Sequence, residues 1–151
     1  LHKYLVQFVL VTYSQQIYAM IDFNEPDFFN RLKQALKEKL AVSITYPALG
    51  TFWERAKQEA RDTTISHFQK NLMDANLLSQ DFLKNIDFSK FKEEFDLRRT
   101  LNVIFWTLDQ FSKEVVKRSM FTQEPLDWVK EYAEAEEYLN YFQKLFYKES
   151  S

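Results

Sequence analysis

Apolar residues recur along this chain at steps of three and four. Leu10, Tyr13, Ile17 and Met20 make one stripe, and Leu1, Leu5 and Phe8 share a neighbouring one. That period predicts a first helix from about Leu1 to Ile21. Asp22-Phe23-Asn24-Glu25-Pro26 carries both a stop and a start signal. Pro26 suits a first helical turn, and Glu25 and Asp27 favour its positive end. Phe29, Leu32, Leu36 and Leu40 fall on one face of a second helix. Arg31, Lys33, Lys37, Glu38 and Lys39 lie mostly on the other. It ends near Tyr46, because Pro47 disfavours the helical region for the residue before it.

Ala48-Leu49-Gly50 makes a corner, followed by a short third helix from about Thr51 to Arg61 with Phe52, Trp53 and Ala56. Asp62-Thr63-Thr64 offers capping side chains for a fourth. Its stripe is Ile65, Phe68, Leu72, Ala75, Leu78 and Phe82. Residues Asn85 to Phe91 break the pattern. They read as a tethered loop whose aromatics pack inward. The fifth helix covers about Asp96 to Arg118, with Leu97, Leu101, Ile104, Leu108, Phe111 and Val115 in a heptad-type seam suited to lying against another helix. Met120 to Pro125 reads as a turn. A sixth helix from about Leu126 to Tyr147 carries Tyr132, Ala135, Leu139, Phe142 and Phe146, extended sideways by Trp128, Tyr138 and Leu145. The expected fold is all-α, one domain of about six helices over residues 1–151, with a tail that frays.

Composition supports this. The chain has one glycine and three prolines in 151 residues, too few for the tight turns of a β-rich domain or for a Gly-rich phosphate loop. It has no cysteine, which excludes disulfides, thiolate catalysis and thiolate zinc sites. Aromatic residues reach 17%, a volume that must fill a core, line a cavity or cover a partner surface. The run Leu5 to Val11 is too short to span a bilayer and lacks the flanks of a signal peptide. A chain opening on Leu1 reads as a fragment or a processed chain.

Catalytic chemistry finds little support. His67 adjoins core position Phe68 and points away from the centre, and His2 has little to organise it. Neither histidine has a Glu three residues before it, as helical di-iron sites require. Glu93-Glu94, Glu124 and Glu136-Glu137 flank or face away from the apolar stripes, where solvated roles are expected. No nucleophile elbow is present. The reading is not an enzyme, with no cofactor and no metal. A net charge of -2 with scattered basic residues also argues against nucleic-acid binding by this segment.

Three segments resemble one family. They are Asp27-Phe28-Phe29-Asn30-Arg31-Leu32 through Ser43-Ile44-Thr45-Tyr46-Pro47 with Phe52-Trp53 beyond, Asp96 to Phe111 with its Trp106-Thr107-Leu108-Asp109-Gln110-Phe111 run, and Glu137 to Phe146. Together they resemble the C-terminal regulatory half of TetR-family transcription regulators. No stretch matches that family's N-terminal helix-turn-helix, so DNA is expected to be contacted only through that missing domain.

The resemblance implies a bacterial, cytoplasmic repressor's sensor domain. It implies a homodimer held by a four-helix bundle of the last two long helices, and a small apolar effector bound in the helical body. Half-sites about one turn of DNA apart make the spacing of two recognition helices matter.

Leu97, Leu101, Ile104, Leu108 and Phe111 are candidate interface residues, with Tyr138, Leu139, Phe142, Leu145 and Phe146. The alternative is that the seam faces its own core. Phe105 and Trp106 diverge from it, so the helix is apolar around most of its girth, and one of these faces, not specified by the sequence, is expected to be a subunit interface. Candidate ligand-lining residues are Tyr13, Phe29, Leu36, Phe52, Phe68, Leu72, Asn102, Phe105 and Asp109. A packed core built from the same side chains is the other reading. Asp109 is either exposed or, if buried, in need of a partner such as a ligand hydroxyl. A helical adaptor using an exposed aromatic stripe is the competing function, and a helical enzyme the third.

Overall fold

A computed structural model describes residues 15–45, 82–121 and 126–149. Residues 15–19 form the end of a helix. Three long helices follow: α1 (Phe28–Thr45), α2 (Leu97–Phe121) and α3 (Trp128–Phe146). A single 3-10 turn spans Phe88–Lys90. The described residues contain no strand, only one isolated antiparallel bridge between Phe91 and Tyr147. The all-α expectation holds at this level. The predicted third and fourth helices and the corner at Gly50 lie outside the described residues.

Each long helix opens on an aspartate. Asp27 Oδ1 accepts the Asn30 amide at 2.9 Å, Asp96 Oδ1 accepts the Arg99 amide at 2.9 Å, and Asp127 Oδ1 accepts the Val129 and Lys130 amides at 3.1 and 3.2 Å. A carboxylate there satisfies an orphan N–H and complements the positive end of the helix dipole. Helix α1 therefore starts after Asp27, and Pro26 stands before the cap instead of in the first turn. Helix α2 runs on through Met120 and Phe121, which the sequence reading had placed in a turn. Nothing between Arg118 and Phe121 is a helix breaker, and the next proline is Pro125.

Contacts between side chains set the helix directions. Lys33 Nζ donates to Asn140 Oδ1 and Lys37 Nζ lies over the Tyr132 ring, so α1 and α3 are antiparallel. Arg118 pairs with Glu131 and Phe111 meets Tyr138, so α2 and α3 are antiparallel too. Phe28 meets Phe105 and Lys39 meets Ser112, so α1 and α2 run the same way. The shared core holds Phe28, Phe29 and Leu32 from α1, Leu101, Ile104 and Leu108 from α2, and Leu139, Phe142 and Phe146 from α3, with Ile21, Phe82 and Phe91 from the connecting segments. Ile104 and Leu139 are fully buried. Removing such a side chain from water is worth roughly 1.5–3 kcal/mol.

The tethered loop behaves as the sequence reading expects. Phe91 is buried, and Ile86 and Phe88 pack against the core from partly buried positions. Asn85 takes the left-handed conformation with φ 64°, one that asparagine tolerates better than most residues. Asp87 caps the 3-10 turn through the Ser89 amide at 3.0 Å and the Ser89 hydroxyl at 2.6 Å. Exchanged backbone bonds, Lys92 N–H to the Phe146 carbonyl and Lys148 N–H to the Lys90 carbonyl, fasten this loop to the end of α3.

Candidate functional site

The seam on α2 resolves in favour of its own core. Leu101, Ile104, Leu108 and Val115 are buried within the chain, and Leu97 packs against them. On α3, Leu139, Phe142 and Phe146 are likewise buried inside. Leu101, Ile104, Leu108, Leu139, Phe142 and Phe146 therefore face inward in this chain, each with under a tenth of its surface exposed. The reason is geometric. The stripe that best fits a helix–helix seam is taken first by the neighbouring helices of the same chain.

Apolar surface remains on the other side of the α2–α3 hairpin. Trp106 is 68% exposed and Tyr141 66%, with Val103, Tyr138 and Leu145 around them also exposed. At about 100° per residue, Val103 and Trp106 lie within about 60° of each other, and so do Tyr138, Tyr141 and Leu145. Helix α2 meets α1 through Phe105 and Ser112 and meets α3 through Phe111 and Arg118. Val103 and Trp106 continue that rotation past α3, away from α1. Helix α3 meets α1 through Tyr132 and Asn140, and Tyr141 and Leu145 continue from Tyr138 in the same outward sense. Both stripes thus line one outer face. Among the predicted interface residues, Tyr138 and Leu145 belong to this face, and half-buried Phe111 supports it from beneath Tyr138 at 6.1 Å between centroids. Val103, Trp106 and Tyr141 share this face and are not among the predicted interface residues; the divergence of Trp106 from the seam is the sequence signal for it.

The hairpin is closed at one end by a bidentate pair. Arg118 Nη1 and Nη2 donate to Glu131 Oε1 and Oε2 at 2.7 and 2.8 Å. This pair holds the Arg118 pKa above its ordinary value.

Of the candidate pocket residues, Phe29, Leu36, Asn102, Phe105 and Asp109 are described. Tyr13, Phe52, Phe68 and Leu72 lie outside the described residues. Phe29 is fully buried edge-on to Tyr147, with ring centroids 4.8 Å apart, and to Phe28 at 5.3 Å. Phe105 is half-buried and meets Phe28 at 5.9 Å and Phe82 at 6.3 Å, again edge-on. Leu36 packs against the same core. Asn102 is partly buried farther round α2. Asp109 pairs with Lys113 at 2.9 Å on a partly exposed face, so it is not a buried carboxylate. Edge-to-face ring contacts of this kind are the ordinary packing of an aromatic core.

The largest departure from the sequence reading is Arg31. Placed there on the charged outer face, it is fully buried. Its guanidinium donates to four backbone carbonyls, those of Phe23, Glu25, Phe82 and Lys84. Burial pulls its pKa below the ordinary arginine value, and the carboxylates of Asp22 and Glu25 oppose that pull. The available signal was position. Arg31 stands three residues after Phe28 and four before Ala35, on a second apolar stripe beside the one with Leu32 and Leu36.

Two tyrosines sit in demanding surroundings. Tyr132 donates to Glu136 Oε2 at 2.6 Å, and burial first, then Glu136, raise its pKa. Tyr147 is raised by burial and by the charge of Asp27, which also pairs with Lys90 at 3.2 Å. Both phenols stay neutral at ordinary pH. Among the described residues no group of three or more His, Asp or Glu side chains is placed to hold a metal ion. No described helix is long and apolar enough to cross a membrane. Comparison with protein-family models, with curated proteins and with solved structures finds no match to this chain.

Proposed function

We propose that this chain is the effector-sensing and dimerising domain of a TetR-type transcriptional repressor, with about six helices and no catalytic role. The observation that supports the reading is the outer face of the α2–α3 hairpin, where Trp106, Tyr141, Tyr138, Leu145 and Val103 gather on two adjacent long antiparallel helices. Contiguous apolar surface of this kind marks an interaction site. Two copies meeting through it make a four-helix bundle, the arrangement that the resemblance of Asp96–Phe111 and Glu137–Phe146 implies. DNA is contacted by a helix-turn-helix outside this chain. A small apolar effector in the helical body favours one of two dimer geometries. By linkage it weakens operator binding to the extent that operator binding weakens the effector's.

Native mass spectrometry and sedimentation of the purified chain test this. A dimer at micromolar concentration is expected, and Trp106→Glu and Tyr141→Glu, which place charge on the outer face, shift it to monomer. A small-molecule mass retained with the dimer supports the sensor role. A wild-type monomer overturns the dimer and leaves the aromatic face to an unlike protein partner, the adaptor reading.

A further inference from the structure

Arg31 rises from the first turn of α1 and is fully buried. Its two terminal nitrogens divide their work. Nη1 donates to the Phe82 carbonyl at 2.6 Å and to the Lys84 carbonyl. Nη2 donates to the Phe23 carbonyl at 2.9 Å and the Glu25 carbonyl at 2.5 Å. The guanidinium carbon also lies 5.6 Å from the Phe23 ring centre and 6.0 Å from that of Phe82. Each nitrogen and each ring therefore serves one segment, residues 22–26 or residues 82–88. Its Nε–H finds no acceptor among the described residues, so the four carbonyls accept the hydrogen bonds of the buried charge, with the nearby Asp22 and Glu25 carboxylates adding charge compensation.

A buried cation is tolerated only while it is hydrogen-bonded. The guanidinium is planar and rigid, so its two ends cannot be retargeted independently. If residues 82–88 move away, Nη1 loses both acceptors and the charge draws in water against the carbonyls of Phe23 and Glu25. If residues 22–26 move, the same happens from the other side. Two further bonds join the segments directly: Asn85 Nδ2 to the Phe23 carbonyl at 3.1 Å, and the Asp87 amide to the Pro26 carbonyl at 2.9 Å.

We infer that Arg31 is a latch that ties residues 22–26 and 82–88 to each other at the start of α1, so that the two segments open as one cooperative unit before α2 and α3 do. The helical end at residues 15–19 leads into the first segment, and the second leads through Phe88 to Phe91 and the bridge with Tyr147. A displacement at either end is thereby communicated to the other. This is independent of whether the domain senses an effector.

Native-state hydrogen exchange of the full chain in sub-denaturing urea tests it. Amides in the two segments, including Glu25, Ile86 and Asp87, are expected to share one opening free energy and one urea slope, below those of Ile104–Phe111 and Leu139–Phe142. Arg31→Met is expected to speed exchange in both segments by the same factor. That factor is at least about tenfold, the loss of one charge-assisted hydrogen bond, with α2 and α3 unchanged. Arg31→Lys, a point charge without the fork, is expected to give a smaller, still paired, increase. Different slopes for the two segments, or acceleration of one alone, overturn the latch. So does a wild-type opening that coincides with global unfolding. If Arg31→Met does not fold, the wild-type urea series tests the shared opening and Arg31→Lys tests the part Arg31 plays in it: an unchanged opening in Arg31→Lys overturns the latch.

Discussion

Replacing Phe28 with alanine separates a packed aromatic core from a ligand-lined cavity. Phe28 is fully buried, and its ring contacts Phe29, Phe91, Phe105 and Phe82 at centroid distances of 5.3, 5.7, 5.9 and 6.4 Å. Among the described residues it is the one ring that touches both Phe29 and Phe105, the two described aromatic candidates for a pocket wall. Lost transfer of the side chain contributes about 2 kcal/mol. The void left among rings that α1, α2 and the 82–91 segment hold in place adds a cavity cost, bringing the total to about 3–5 kcal/mol. With a total stability of about 5–15 kcal/mol, most of the variant population stays folded in water.

Urea denaturation followed by far-UV circular dichroism gives the difference directly, and the midpoint is expected to fall with an unchanged slope. In thermal melts the same loss appears as a drop of roughly 6–20 °C for a domain of this size. Phe28→Ala combined with Phe105→Ala closes a double-mutant cycle, in which one edge-to-face contact predicts a coupling of about 0.5–1.5 kcal/mol. A single-mutant loss below about 1.5 kcal/mol with no coupling would refute the packed-core account. It would mean that Phe28 borders space already open and that Phe29 and Phe105 line it.

Three other outcomes follow from the caps and the hairpin pair. Asp127→Ala removes the acceptor for the Val129 and Lys130 amides and is expected to cost about 1 kcal/mol in urea melts; a loss under a few tenths would show that water caps α3 equally well. The Asp87 carboxylate has its pKa lowered first by the Ser89 side-chain bond and then by the Ser89 amide. Its contribution is therefore present above the unfolded aspartate value near about 3.9 and lost as pH falls through the lower folded value. The melting difference between wild type and Asp87→Ala should shrink as pH is taken from 6 toward about 2, and a difference independent of pH contradicts the charge-assisted cap. Glu131→Gln breaks the bidentate pair with Arg118, half of whose side chain is exposed, so a loss of at most about 1 kcal/mol is expected. That loss should diminish in 1 M salt, and a salt-independent loss means packing rather than charge.

Three kinds of feature differ in how legible they were in the amino-acid order. Helix starts were readable to within two residues, near Pro26, Asp96 and Leu126 for helices that begin at Phe28, Leu97 and Trp128, because the signals are local; the capping roles of Asp27, Asp96 and Asp127 themselves were not read. The inward aromatics of 85–91 were readable because polar punctuation alternates with Ile86, Phe88 and Phe91. Which apolar face of α2 turns inward was not. Leu101, Ile104 and Leu108 are apolar on one side, and Val103 and Trp106 on another. Periodicity shows that both stripes exist without ranking them. The ranking comes from the 82–91 segment and α1, whose Phe82 and Phe28 meet α2 at Phe105 and leave Trp106 outside, a non-local fact.

Arg31 was illegible for a related reason. A charge at a helical apolar position is read as exposed because burial costs so much. The compensating acceptors are backbone carbonyls of residues 23, 25, 82 and 84, and a carbonyl carries no side-chain signature.

The same logic explains why the hairpin retains an apolar exterior after the core is complete. A helix 25 residues long, apolar around most of its girth, buries one side against α1 and α3 and has no third neighbour among the described residues for Val103 and Trp106. Leaving that surface in water forgoes about 25 cal/mol for each square ångström that a partner would cover. The residues placed there limit the penalty. Tyr138 and Tyr141 carry hydroxyls and Trp106 an indole N–H, so each keeps a hydrated edge while offering a broad apolar face. Leucine or phenylalanine at Tyr138 and Tyr141 would give a stickier surface with no hydrated state to return to. Aromatic residues with polar tips are what a face requires if it is to be wet in one state and covered in another. Substituting both tyrosines by phenylalanine should therefore tighten self-association and raise aggregation together. If light scattering shows neither, the outer face is not a contact surface.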